Sequence, residues 1–96
     1  MVTLNLDPTY TFEEIIGLLI AKHRNTLSIN QGNMAKKLGM SQVNLSRIEH
    51  GKINLTIKNL IKICEILDIL PSEFFQEVEL AERAIKWRKH NVWKSP

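Results

Sequence analysis

Between Gln42 and Arg47 the chain carries four side chains that suit the edges of base pairs: Gln42, Val43, Asn44 and Arg47. A glutamine or asparagine amide can bond N6 and N7 of adenine together, an arginine can fork onto O6 and N7 of guanine, and a valine can meet a thymine methyl. Ser46 and His50 beside them suit sugar or phosphate contacts. Each of these could equally be an ordinary exposed helical residue. Their order favours the chemical reading, because Leu45 and Ile48 recur among them at helical spacing. One face of a short helix is then buried and the polar set points outward together.

Neighbouring residues are suited to holding such a helix. The Ser41 hydroxyl can accept from the free amides of its first turn, and Gly51 closes it, followed by the cation Lys52. Upstream, Met34, Ala35 and Leu38 repeat the spacing on a second short helix, with Asn30 as its cap and Gln31 as its first residue. Gly39 stands between the two, where a sharp turn calls for a left-handed residue that glycine adopts without a Cβ clash. The stretch Gln31 to Lys52 is thus predicted to be two helices joined by a tight turn, the second shaped to lie in a DNA groove.

Charge is segregated in the same direction. From Lys22 to Lys62 there are eight bases (Lys22, Arg24, Lys36, Lys37, Arg47, Lys52, Lys58, Lys62) against one acid, Glu49. With +3 overall, the remainder of the chain carries −4. A polyanion partner fits this pattern. Catalysis finds no support: His23, His50 and His90 lack metal-ligand spacing with Cys64 or with one another, and there is no phosphate-cradling glycine loop. No cofactor or metal is expected. Ninety-six residues at 44% apolar content suit one domain, and the longest apolar run, IIGLLIA, is too short for a membrane span. A soluble, cytoplasmic protein is expected, with Cys64, the one cysteine, as a small core residue.

Taken together, FEEIIGLLIAKHR, NQGNMAKKLGMSQVNLSRIEHGK and LTIKNLIKICEILDILPSEFF resemble the lambda repressor and Cro-like helix-turn-helix family, also called the XRE family. The resemblance runs from about Phe12 to Phe75. It implies an all-α bundle of five helices whose third helix reads the major groove. It also implies a partly buried ion pair between Arg24 and Glu49 that sets the angle of that helix. A further implication is that Gln31 bonds both a phosphate and Gln42, and a helix N-terminus is already an anion site. Lys52 and Asn54 lie where relatives contact phosphate, and Lys58 can assist. Lys36 and Lys37 read as plain solvent-facing residues. The chain departs from the family pattern at Val43, usually polar, at Asp68, usually glycine, and around Ile15, Leu18 and Leu19, usually polar nearby. The stretch NLTIKNL, with the later FF, is also similar to small controller proteins of restriction-modification systems.

The remaining segments are read from pattern. Residues 1–10 alternate Val2, Leu4 and Leu6 with polar residues and end in a turn at Asp7-Pro8, an arm that could lie along the domain, pair with a second subunit or be disordered. The first helix should start after a capping box at Thr11 and Glu14 and bury Phe12, Ile16 and Ile20, with Leu27 and Ile29 over its end. The fourth, capped by Thr56, should bury Ile57, Leu60, Ile63, Cys64 and Leu67. The fifth starts near Pro71. Residues 11–76 would form the DNA-binding domain and 77–96 a helical extension. There the stripe Phe74, Val78, Ala81 and Ile85, with Trp87 and Trp93, is expected to make a homodimer. The function expected is a sequence-specific, dimeric regulator of transcription on an inverted repeat in double-stranded DNA. The competing reading is an antitoxin, or an adaptor, that holds a partner protein such as a toxin by its tail.

Overall fold

The computed structural model describes residues 7–91, and side chains as far as residue 87. Val2, Leu4 and Leu6 of the expected arm, Trp93, and the side chains of Arg88, Lys89 and His90 lie outside that range. Among the described residues there are five helices and no strand: α1 (Phe12–Thr26), α2 (Gln31–Leu38), α3 (Gln42–Glu49), α4 (Ile57–Ile66) and α5 (Pro71–Asn91). The first four open on side-chain caps that satisfy an amide of the first turn. Thr11 Oγ1 accepts from Glu14 N at 3.1 Å, Asn30 Oδ1 from Asn33 N at 2.7 Å, Ser41 Oγ from Asn44 N at 3.1 Å and Thr56 Oγ1 from Asn59 N at 3.1 Å.

These four helices also end alike. Ser28, Gly39, Gly51 and Asp68 have φ of 57°, 68°, 68° and 54°. Each is followed by the same pair of backbone bonds, for example Gly39 N to Lys36 O at 3.1 Å and Met40 N to Ala35 O at 3.0 Å. The aspartate that replaces the usual glycine after α4 therefore still takes the left-handed state, which Asp tolerates better than most residues. Its own bonds match: Asp68 N to Glu65 O at 3.2 Å and Ile69 N to Cys64 O at 3.1 Å.

One apolar cluster holds the bundle, drawing on all five helices, with Phe74, Leu19, Ile20, Met34, Leu45, Ile63 and Cys64 its largest fully buried members. Each such large apolar side chain contributes roughly 1.5–3 kcal/mol by leaving water. Cys64 belongs to this core, and burial pushes its thiol pKa up. No helix among the described residues is long and apolar enough to cross a membrane.

Three expectations are corrected here. On α1 the buried residues are Ile15, Leu19 and Ile20 with Gly17, whereas Phe12 is 45% exposed and Ile16 only half-buried. The reason is that α1 packs against both α3 and α5, and a helix covered on two sides buries a wider face than a single stripe. Leu27 likewise stays exposed, while Ile29 packs on the core. On α4 the stripe begins at Leu60; Ile57, in the first turn, lies beyond the reach of the core and is 76% exposed.

The third correction concerns α5. Phe74, Val78, Ala81 and Ile85 are 0%, 3%, 7% and 4% exposed within the single chain, so they are not a dimer seam. They pack into the protomer's own core, and the helix runs unbroken past residue 76. The expected boundary between domain and extension is therefore absent, and removal of residues 77 onward would take Val78, Ala81 and Ile85 out of the core. A polar tie fastens the same helix: His23 Nε2 of α1 lies 2.8 Å from both carboxylate oxygens of Glu77. Trp87 is 67% exposed.

Candidate nucleic-acid interface

Helix α3 turns Leu45 and Ile48 into the core and leaves Gln42, Val43, Asn44 and Arg47 exposed, with Ser46 half-buried at the edge of that face. Val43 is 59% exposed, an apolar side chain held out in water at the centre of a polar set. The Ser41 cap and the Gly39 turn fix where the helix starts, so these four side chains share a face set by one side-chain cap and one left-handed residue. His50 folds back on the same helix: its Nδ1 donates to the Ser46 carbonyl at 2.7 Å. In the neutral ring Nε2 is then the acceptor nitrogen, so donation from His50 to a phosphate requires the imidazolium. Lys52, Asn54 and Lys58 are all exposed, in the loop after α3 and the first turn of α4.

Behind that face lies a buried charge. Glu49 is 7% exposed and accepts three hydrogen bonds: from Arg24 Nε to Oε2 at 2.7 Å, from Arg24 Nη2 to Oε1 at 3.0 Å, and from Gln31 Nε2 to Oε1 at 3.0 Å. Arg24 also donates to the Ile29 carbonyl at 2.9 Å. Bonding to Glu49 raises the Arg24 pKa above its ordinary value, against the opposing effect of burial. The pair thus joins the last turn of α1 to the last turn of α3, with forked geometry that fixes orientation as well as distance. Gln31 Oε1 in turn accepts from Gln42 Nε2 at 3.4 Å. Among the described residues no buried side-chain nitrogen or oxygen lacks a partner.

The sequence signals did not single out Gly17. A Cβ built there would stand 2.5 Å from the carbonyl oxygen of Ile48 and still closer to that of Glu49. Helix α3 therefore lies against α1 backbone to backbone. Gly51 does the same from the other side, where a Cβ would be 2.7 Å from Glu14 N. A glycine inside the otherwise apolar run IIGLLIA was the available signal, since such a residue costs helix stability and calls for a packing reason. The Gln31 to Glu49 bond and the His23 to Glu77 tie had no signal of that kind.

No group of three His, Cys, Asp or Glu that could hold a metal occurs among the described residues. What the arrangement offers is a rigidly mounted helix with an amide and guanidinium face, beside the N-terminus of α2, whose first-turn amides of Gln31 and Gly32 have no intrahelical partner.

Comparison with known proteins gives a consistent result. A helix-turn-helix family model matches residues 20–74. A search of curated proteins finds no match. Among solved structures, the clp gene regulator ClgR from Corynebacterium glutamicum is similar with a TM-score of 0.77 at 16% identity, over 88% of this chain and 89% of that one. The restriction-modification controller protein C.Esp1396I is similar with a TM-score of 0.67 at 26% identity, over 75% of this chain and 92% of that one. That controller has also been solved as a tetramer in complex with its natural 35 base-pair operator, with a TM-score of 0.67 at 26% identity over 76% and 96% of the two chains. The likeness to ClgR is one of fold.

Proposed function

Since the chain belongs to the helix-turn-helix family of DNA-binding transcription regulators, we propose that it binds an inverted-repeat operator as a homodimer, with α3 in the major groove. The observation that carries this is the exposed set Gln42, Val43, Asn44 and Arg47 on a helix whose inner face is fully committed to the core. These four read bases, and the other contacts are positional. Gln31 with the open amides of α2, Ser46, His50, Lys52, Asn54 and Lys58 meet phosphate and sugar. C.Esp1396I, bound to its operator as a tetramer, supports an oligomer on DNA.

Binding should be electrostatic in its salt dependence and specific through α3. If about six phosphates are met, the log–log slope of affinity against salt is roughly −5. Fluorescence anisotropy with duplex enriched from a random pool measures it. Arg47→Ala should cost about 1–3 kcal/mol on the preferred site and relax selection at one base pair. A protein with no affinity for duplex DNA at low salt would sink the reading, and an adaptor role for the fold would take its place.

The homodimer needs a surface other than the buried stripe of α5. Ile57 and Ile61, one turn apart on α4, are 76% and 36% exposed, and Ile57 is the most exposed large apolar side chain among the described residues. Lys58 and Glu65 flank Ile61 on exposed positions, three residues before and four after. A two-fold axis there covers Ile57 and Ile61 with their own copies and leaves each α3 free for its half-site. Ile57→Glu should therefore give a folded monomer in sedimentation equilibrium and abolish cooperative binding to the repeat. An undisturbed dimer would move the interface to the exposed Leu80 side of α5.

A further inference from the structure

Val43 is the one apolar side chain of α3 that stays out of the core, 59% exposed between Gln42 and Asn44 and one turn ahead of Arg47. Leu45 and Ile48 supply the buried apolar face of the helix, which is complete without it. What Val43 brings is a stiff apolar tip. In a helix a valine holds one strongly preferred rotamer, so its two methyls stay where the backbone puts them. The edges of base pairs in the major groove offer such a tip a single apolar feature, the C5-methyl group of thymine. Valine has neither donor nor acceptor. It therefore cannot tell the thymine O4 from the cytosine N4 amino group, and responds only to whether C5 carries a methyl or a hydrogen.

We infer that Val43 makes this chain a reader of the pyrimidine 5-methyl group, so that 5-methylcytosine stands in for thymine at one base pair of each half-site. Cytosine at that pair makes a weak site. Methyl transfer to its C5 turns the weak site into a stronger one with no change of sequence. The ligand class is thus duplex DNA carrying a methylated cytosine, and the reaction that supplies it is methylation of cytosine at C5. One methyl group taken out of water against Val43 is worth about a fourfold change in affinity. The added methyl leaves the donors and acceptors of the G·C pair as they were, so the bonds open to Gln42, Asn44 and Arg47 are the same on either form.

This inference rests on the DNA reading proposed above, and the test separates the two. Thymines of an operator selected from a random pool are replaced one at a time by deoxyuridine, which lacks only the methyl. The pair read by Val43 is the one where that replacement weakens the parent protein and leaves Val43→Ser indifferent. Serine has nearly the helix propensity of valine and the position is exposed, so the variant folds, which a melting curve checks. Duplexes with thymine, deoxyuridine, cytosine and 5-methylcytosine at that place are then compared by competition. The parent should favour thymine over deoxyuridine and 5-methylcytosine over cytosine by the same factor, about fourfold per half-site, and Val43→Ser should bring both ratios close to unity. Ratios that survive in Val43→Ser, equal binding of 5-methylcytosine and cytosine by the parent, or no thymine whose methyl matters would overturn the inference and leave sequence-specific binding standing. Binding with no preference at any position would overturn recognition by α3 itself.

Discussion

Replacing Glu49 by alanine should lower the melting temperature by roughly 12–24 °C. The substitution removes three accepted hydrogen bonds and leaves the Arg24 guanidinium, whose side chain is 11% exposed, with only the Ile29 carbonyl. Breaking one side of a buried pair costs about 3–5 kcal/mol, and the lower end applies because some water still reaches Arg24. For a domain of this size each kcal/mol is worth about 4–8 °C. Since small domains have roughly 5–15 kcal/mol in total, the variant should stay folded at room temperature and lose much of its margin. Differential scanning calorimetry tests it, with Arg24→Met/Glu49→Leu as the companion variant. That double change removes both charges and should recover most of the loss. An unchanged melting temperature in Glu49→Ala would mean that the pair contributes nothing to α1 and α3 packing.

Gly17→Ala should also destabilise, although alanine is the better helix former by about 1 kcal/mol. The new Cβ would meet backbone oxygens of Ile48 and Glu49, and backbone cannot swing aside as a side chain can. Separating the two helices costs about 3 kcal/mol on the scale of overpacked cores. The net loss is about 2 kcal/mol, or roughly 8–16 °C. Gly32→Ala is the control, because its Cβ would meet nothing nearer than a side-chain oxygen at 3.4 Å, and its effect should stay within about 0.5 kcal/mol. If both changes had the same effect, the close approach at Gly17 would not be what holds α3.

The elements were legible in the sequence because their signals are local. The Thr11, Asn30, Ser41 and Thr56 caps and the Gly39 turn each act within four residues, and helix starts fall where they place them. The five-helix, lambda-repressor-like fold was what the family resemblance implied, and it is the fold observed. What failed was the assignment of faces where apolar residues outnumber one stripe. IIGLLIA offers a helix two possible inner faces, and only the presence of both α3 and α5 decides for Ile15 and Leu19 over Phe12 and Ile16. The stripe of α5 was visible, but periodicity shows that a face is buried and not which molecule buries it. The cover is α1 of the same chain, to which Glu77 is tied through His23, a pair separated by more than fifty positions and invisible to any local rule.

The absence of side chains at Gly17 and Gly51 has an evolutionary consequence. With main chain seated on main chain, the reading helix is mounted like a blade in a fixed socket, and its tilt is not a property that surface mutations can adjust by degrees. If α3 reads bases as proposed, a lineage built on this chain would change its operator by exchanging letters at positions 42, 43, 44 and 47, leaving the docking angle inherited. For the proposed homodimer on an inverted repeat, half-site spacing and half-site sequence would then diverge separately, the first through the protomer contact and the second through those four positions. Mosaic descendants that keep one and alter the other are the expected products of drift.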